Sequence, residues 1–270
     1  MTAPLLSLNI SVDYAAKPGV LRNVMLDVHP GEIVGLVGQS GSGKSTLAMT
    51  ILRLVQLNGG KARGSVQFNG RDLMTLDERD LRRIRGKEIG LVLQSPMSAL
   101  NPALKIGTQL KEAWRCQGGE SAAWKTRVME LLESVSLPPE EAFLQKYPRQ
   151  LSVGLAQRVL IAMSIMHRPA LLLADEPTSA LDVITQAEIL ELFGRLSRDM
   201  NMAVLFISHD LPSVVRLCQR VAILHAGEIV EVAKTSQIFE APRHPYTQRL
   251  VAALAPRLGT SQPSGLALSV

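Results

Sequence analysis

Residues 38–45 read GQSGSGKS, entered from an apolar run (Glu32 to Val37) and left into a helical pattern from Thr46. Strand, glycine-rich loop G-x-x-x-x-G-K-[ST] and helix in succession predict an α/β core built to hold phosphate. Glycine lets the backbone curl until successive N–H groups point inward, and a helix N-terminus adds partial positive charge. The cradle predicted here runs through Gly38, Gln39, Ser40, Gly41, Ser42, Gly43, Lys44, Ser45 and Thr46. Lys44 has the reach for β- and γ-phosphates, and the Ser45 hydroxyl is the kind of oxygen that ligates Mg²⁺. The implied ligand is a nucleoside triphosphate with Mg²⁺. At average residue frequencies the pattern arises by chance in about one chain of this length in a hundred.

The bulk properties fit that reading. A chain of 270 residues can hold one large domain or a domain with a subdomain. Hydrophobic residues make up 46% and charged residues 20%, a globular balance. No apolar run reaches the roughly 18–20 residues of a membrane span. The longest candidate, Val159 to Ala174, is broken by His167, Arg168 and Pro169. The opening MTAPLLSLNISVDY lacks a basic start, an apolar stretch and a cleavage site, so a cytosolic chain is expected. Cys116 and Cys218 have no metal spacing and are expected to be reduced and incidental. The net charge of +5 raises nucleic acid or an anionic membrane surface as a partner, yet only RDLRRIRGK at 79–87 is densely basic and aromatics are just 4%. No nucleic-acid partner is expected, and that segment reads as the solvated face of a helix.

Strands are predicted at Leu6–Val12, Asn23–Val28 and Gly64–Phe68, the last followed by an Asn69-Gly70 turn. Residues 76–87 read as helix and Glu88–Leu93 as a strand ending at Gln94. From about 95 to 165 helices and loops take over, punctuated by prolines. Continuous apolar runs at Ala170–Ala174 and Met202–Ser208 read as parallel strands. Arg220–Leu224 and Glu228–Val232 flank a three-residue turn, His225-Ala226-Gly227. Residues 1–255 are expected to form a single domain, and 256–270 a loose tail.

A second chemical signal is LLLADE at 171–176, two acids at the end of a buried strand, where a ligand crevice opens. Asp175 would hold Mg²⁺, and Glu176 would orient or deprotonate an attacking water. Around them lie Leu151-Ser152-Val153-Gly154 before a long helix, Ser179-Ala180-Leu181-Asp182, and Ser208-His209-Asp210 at a strand end. With these in order the chain resembles the ATP-binding-cassette (ABC) ATPases over roughly residues 5 to 255.

The resemblance implies a P-loop NTPase core with a mixed sheet, an antiparallel β subdomain and an inserted α-helical subdomain at about 95–165. It implies ATP and Mg²⁺ as ligands, with Glu176, His209, Lys44 and Gln94 catalytic and with Ser45, Gln94 and Asp175 around the metal. Gln94 would also sense a transmembrane partner, and Asp182 would lie in a loop crossing a dimer interface. Tyr14, 17 residues before Gly31, would stack on adenine. SPMSALNP at 95–102 and IFEAPRHPYTQRLVAAL at 238–254 resemble the oligopeptide, dipeptide and nickel branch of bacterial importers. The expected role is that of an ATPase subunit on the cytoplasmic face of the membrane, serving two permeases and an extracytoplasmic solute-binding protein. Di- or oligopeptides lead as cargo, with nickel or other metal chelates and oligosaccharides behind. Exporter ATPases and soluble, non-transport ABC ATPases are the competing classes.

One departure matters. The family signature Leu-Ser-Gly-Gly is here Leu-Ser-Val-Gly, with Val153 where glycine allows close backbone approach to phosphate. Cassettes of this family meet head to tail, so Ser152, Val153 and Gly154 would complete the partner's ATP site. A weakened signature in this chain favours a heterodimer with a second, different cassette.

Overall fold

The computed structural model describes residues 3–253; the predicted loose tail at 256–270 lies outside them. Strand β1 (Leu6–Tyr14) alternates buried and wetter side chains and pairs antiparallel with β2 (Lys17–Val28). Next comes β3 (Ile33–Val37), buried at every residue, then the glycine-rich loop and α1 (Lys44–Ile51). Strand β4 (Gly60–Phe68) returns to the free side of β1, and β5 (Arg71–Asp72) turns back on it. Asn69 and Gly70 between them both have positive φ, 49° and 75°, the two-residue hairpin geometry their identities predict.

Helix α2 (Glu78–Ile84) starts where Asp77 accepts from the Asp80 N–H at 2.8 Å. It is shorter than the predicted 76–87 because Arg85 turns extended. Nor is the basic segment wholly a solvated face: the Arg85 Nε donates to the Leu52 carbonyl at 2.8 Å. After β6 (Ile89–Val92) come α3 (Pro96–Ala99), α4 (Ile106–Cys116), α5 (Trp124–Ser134), α6 (Glu141–Leu144) and α7 (Val153–Ile165). They fill the stretch read as helical. Then follow β7 (Leu171–Asp175), α8 (Val183–Met200), β8 (Ala203–Ser208), α9 (Leu211–Leu217), β9 (Arg220–His225), β10 (Glu228–Lys234), α10 (Thr235–Glu240) and α11 (Pro245–Ala252). His225 pairs with Glu228, so the β9–β10 turn is the two residues Ala226-Gly227, one fewer than predicted.

The strands form two sheets, an antiparallel one ordered β2-β1-β4-β5 and a mixed one ordered β10-β9-β3-β8-β7-β6. In the mixed sheet only the β9–β10 pair is antiparallel. Because side chains alternate across a strand, each parallel strand feeds two cores. Val34, Leu36, Leu173, Leu205 and Ile207 join the apolar side chains of the antiparallel sheet. Ile33, Val37, Leu172, Ala174, Val204 and Phe206 join those of α4, α5, α7 and α8. Each buried Val, Leu, Ile or Phe among them contributes about 1.5–3 kcal/mol, so the sheet is pinned on both faces. In-register parallel pairing sets Val37 beside Ser208 and Asp175 beside Ile207. The C-terminal ends of β3, β7 and β8 therefore open on one edge, bringing together three motifs far apart in sequence.

Candidate nucleotide site

The loop is shaped by what glycine omits. Gly38 ends β3 against β9, where a Cβ would lie 2.2 Å from the Leu224 carbonyl oxygen. Gly43 enters α1 at φ 109°, and no side chain caps the helix. Its first N–H groups are therefore available to an anion. Lys44 is buried, and its ammonium bridges the loop, donating to the carbonyls of Gly38 at 2.8 Å and Gln39 at 3.1 Å. The Ser42 hydroxyl is buried without a partner on the side of Gly38, where a Cβ would lie 2.7 Å from it.

Over this loop opens a cavity of about 850 Å³. Its walls include every loop residue from Gly38 to Thr46 except Ser42, together with Tyr14, Gln94, Glu176 and His209. Glu176 sits at φ 51°, rare for a residue with a side chain, just past the end of β7. Its N–H donates to the Ile207 carbonyl at 2.9 Å, and the Ser179 hydroxyl donates to its carbonyl at 3.1 Å. Those bonds hold the unusual turn and aim the carboxylate into the cavity. One carboxylate oxygen is 2.6 Å from His209 Nδ1, and the other is 3.7 Å from Lys44 Nζ. His209 itself is exposed, while Glu176 and Lys44 are buried.

Asp175 lies behind the cavity wall, next to the Ser45 hydroxyl. Burial pushes its carboxyl above the ordinary range; the Ser45 hydroxyl and Lys44 oppose that shift and Glu176 adds to it. Its Oδ1 is buried with no hydrogen-bond partner. An orphaned carboxylate oxygen beside a serine hydroxyl fits Mg²⁺, which takes one or two protein carboxylates and completes its shell with phosphates and water. Among the described residues no three His, Cys, Asp or Glu cluster as a metal cage.

The signature residues do not line this cavity. Ser152 caps α7, its hydroxyl accepting from the Leu155 N–H at 3.3 Å, and Val153 follows, 38% exposed. Gly154 packs on α8, where a Cβ would lie 2.6 Å from the Thr185 methyl. Asp182 caps α8, accepting from the N–H groups of Thr185 at 3.0 Å and Ile184 at 3.1 Å and from the Thr185 hydroxyl at 2.7 Å. Those bonds, the Thr185 N–H foremost, hold its carboxyl below the usual range. Val183 and Ile184 beside it are 82% and 74% exposed. Signature and Asp182 thus form one outward-facing cluster, open to a second molecule.

Four cavity residues escape the sequence reading as site residues: Lys17, Val20, Val37 and Leu250 also line the walls. So does the role of Gln186, whose amide donates to Asp210 at 2.9 Å and to the Ser213 hydroxyl at 2.6 Å, joining α8 to the residue after His209. No local pattern marks any of them.

Residues 21–179 match the family model described as ABC transporter. The dipeptide transport ATP-binding protein DppD of Escherichia coli (strain K12) is 42% identical over 243 residues, covering 90% of this chain and 74% of the relative. The oligopeptide transport ATP-binding protein OppD of Bacillus subtilis (strain 168) is also 42% identical, over 89% of this chain and 68% of the relative. A dimeric ATP-binding cassette solved with ADP and Pi in a post-hydrolysis state superposes with a TM-score of 0.71 at 30% identity, over 85% and 98% of the two chains. The cbiO1 subunit from Clostridium perfringens, part of the cbiONQ ABC transporter complex, shares the fold with a TM-score of 0.79 at 21% identity, over 96% and 98%.

Proposed function

Since this chain belongs to the ABC transporter family, we propose that it is the ATP-hydrolysing subunit of a bacterial multi-subunit importer for di- or oligopeptides. The observation that carries the catalytic reading is Glu176, held 2.6 Å from His209 and 3.7 Å from Lys44 at the mouth of a phosphate-shaped loop. In hydrolysis water attacks the γ-phosphorus, the bond to the bridging oxygen breaks, and ADP and Pi leave. Glu176 orients that water and takes up its proton. His209 steadies Glu176 and faces the γ-phosphate, while Lys44 and the loop N–H groups offset charge on the β- and γ-oxygens. Mg²⁺, held by Ser45, Asp175 and Gln94, would neutralise the same charge. Tyr14, from the end of β1, is assigned to the base.

The outward cluster of Ser152, Val153, Gly154 and Asp182 is assigned to a second cassette, whose own signature would close this chain's site. Valine at the first position of α7 supports a heterodimer, because a homodimer would carry the altered signature twice. Two permeases would dock on the assembled pair, which places this subunit at the cytoplasmic membrane surface, with a solute-binding protein choosing the cargo outside. The test is to tag the full chain, solubilise its native membranes in mild detergent and identify what is retained by mass spectrometry. Two permeases with a second, different cassette support the importer reading. A chain that brings no membrane protein, or brings nucleic acid, overturns it.

A further inference from the structure

The HPYT segment resembles a mark of one importer branch, yet nothing in the catalytic reading uses it. In the structure it begins α11, and three contacts tie that helix to the wall of the nucleotide cavity. The Tyr246 ring stacks on His225 with centroids 3.7 Å apart and planes 20° from parallel. Glu231 on β10 accepts from the N–H groups of Arg243 at 2.9 Å and His244 at 3.0 Å, just before the helix starts. His225 directly follows Leu224, whose carbonyl backs Gly38 of the phosphate loop. Residues four apart share a helix face, so the face that seats Tyr246 also carries Leu250. Leu250 is half-buried and lines the cavity together with Tyr14 and Val20.

The loop end of that cavity is polar, supplied by backbone N–H groups, Lys44, Gln94, Glu176 and His209. Besides Val37, which ends β3 just before the loop, its aromatic and branched aliphatic members are Tyr14, Val20 and Leu250, drawn from β1, β2 and α11. A flat, apolar-faced base needs such a surface, while a triphosphate does not. We propose that Leu250 is a specificity-determining residue of the nucleotide site, an apolar wall for the base and ribose that α11 delivers across the β9–β10 hairpin. The inference rests on the nucleotide reading above and deepens it: the C-terminal helix acts on the base, not on the phosphates.

The experiment titrates the purified full-length chain with ATP and Mg²⁺ and, separately, with inorganic tripolyphosphate and Mg²⁺. Leu250→Ala weakens ATP binding about fivefold, the loss expected for a few tens of square ångströms of apolar contact, and leaves tripolyphosphate binding unchanged. Leu250→Met, which keeps an apolar side chain of similar volume, restores most of the ATP affinity. Unchanged ATP binding in Leu250→Ala overturns the inference. Equal losses for both ligands also overturn it, since Leu250 would then act on the loop. Lys44→Ala serves as the control for the underlying site and loses both ligands. If it binds ATP as the parent does, the nucleotide reading itself fails, an outcome distinct from a silent Leu250.

Discussion

Replacing Glu176 by Gln keeps the shape of the side chain and removes one negative charge, so its consequences can be worked from the distances around it. Glu176 Oε1 stands 3.7 Å from Lys44 Nζ, both side chains being nearly buried. With an effective dielectric of about 20 the gross attraction at that separation is about 4–5 kcal/mol. Desolvation of the two groups offsets most of it. Lys44 does not become an orphan in the variant, because it still donates to the carbonyls of Gly38 and Gln39. Two effects on ATP follow. The anion facing the incoming γ-phosphate is gone and Lys44 has no carboxylate to exchange for it, so ATP binds at least as tightly as to the parent. The proton acceptor proposed for water is also gone, so turnover is expected to fall by about 10²–10⁴-fold, the usual worth of a general base. The assay pairs a nucleotide titration of the purified chain with phosphate release by the assembled complex. Turnover within about tenfold of the parent removes Glu176 from the role of base. Loss of ATP binding refutes the electrostatic reasoning instead.

Gly38→Ala puts a methyl 2.2 Å from the Leu224 carbonyl oxygen; overpacking of about 1–3 kcal/mol displaces the loop, and ATP titration shows binding lost while circular dichroism still reports the fold. Val153→Gly costs about half a kcal/mol of helix propensity at most, leaves the Ser152 cap in place, and raises the ATPase rate of the assembled complex; an unchanged rate shows that valine does no harm to the partner's site. Asp175 gives a pH signature: its raised carboxyl pKa lets the protonated form, which cannot ligate Mg²⁺, persist above the ordinary carboxylate range. Acidification therefore weakens Mg²⁺-dependent ATP binding earlier than an exposed aspartate would. Over the window between the unfolded value and the raised folded one, folding takes up a proton, so the same acidification stabilises the nucleotide-free chain. Asp175→Asn abolishes both trends, read by titration and thermal melting across pH.

Much of the architecture was legible because it is written in local pattern. The continuous apolar runs at 170–174 and 202–208 became β7 and β8, and Asn69-Gly70 became the turn between β4 and β5. The misses came where a tertiary contact overrode the local signal. Helix α2 stops at Ile84 because Arg85 turns away to bond the Leu52 carbonyl. The β9–β10 turn is one residue tighter than read because His225 pairs across the ladder. Val20, Val37 and Leu250 carried no signal as cavity residues, since an aliphatic residue on a strand or helix looks the same whether it faces a core or a ligand, and Lys17 is one scattered cation at the start of β2.

The amino-acid sequence alone determined the phosphate chemistry, because the loop's work is done by consecutive residues: glycines that free the backbone, a lysine, a serine and the start of a helix. It determined equally that two acids would end a buried strand. Only the tertiary structure decided that Glu176, His209, Lys44 and Tyr14 would meet in one cavity, with Leu250 closing it. That convergence depends on β3 inserting between β8 and β9, strands more than 150 residues later in the chain, and on a backbone angle of 51° at Glu176 held by a bond to Ile207. Strand order and a strained dihedral are properties of the packed whole, and no local run of residues encodes them.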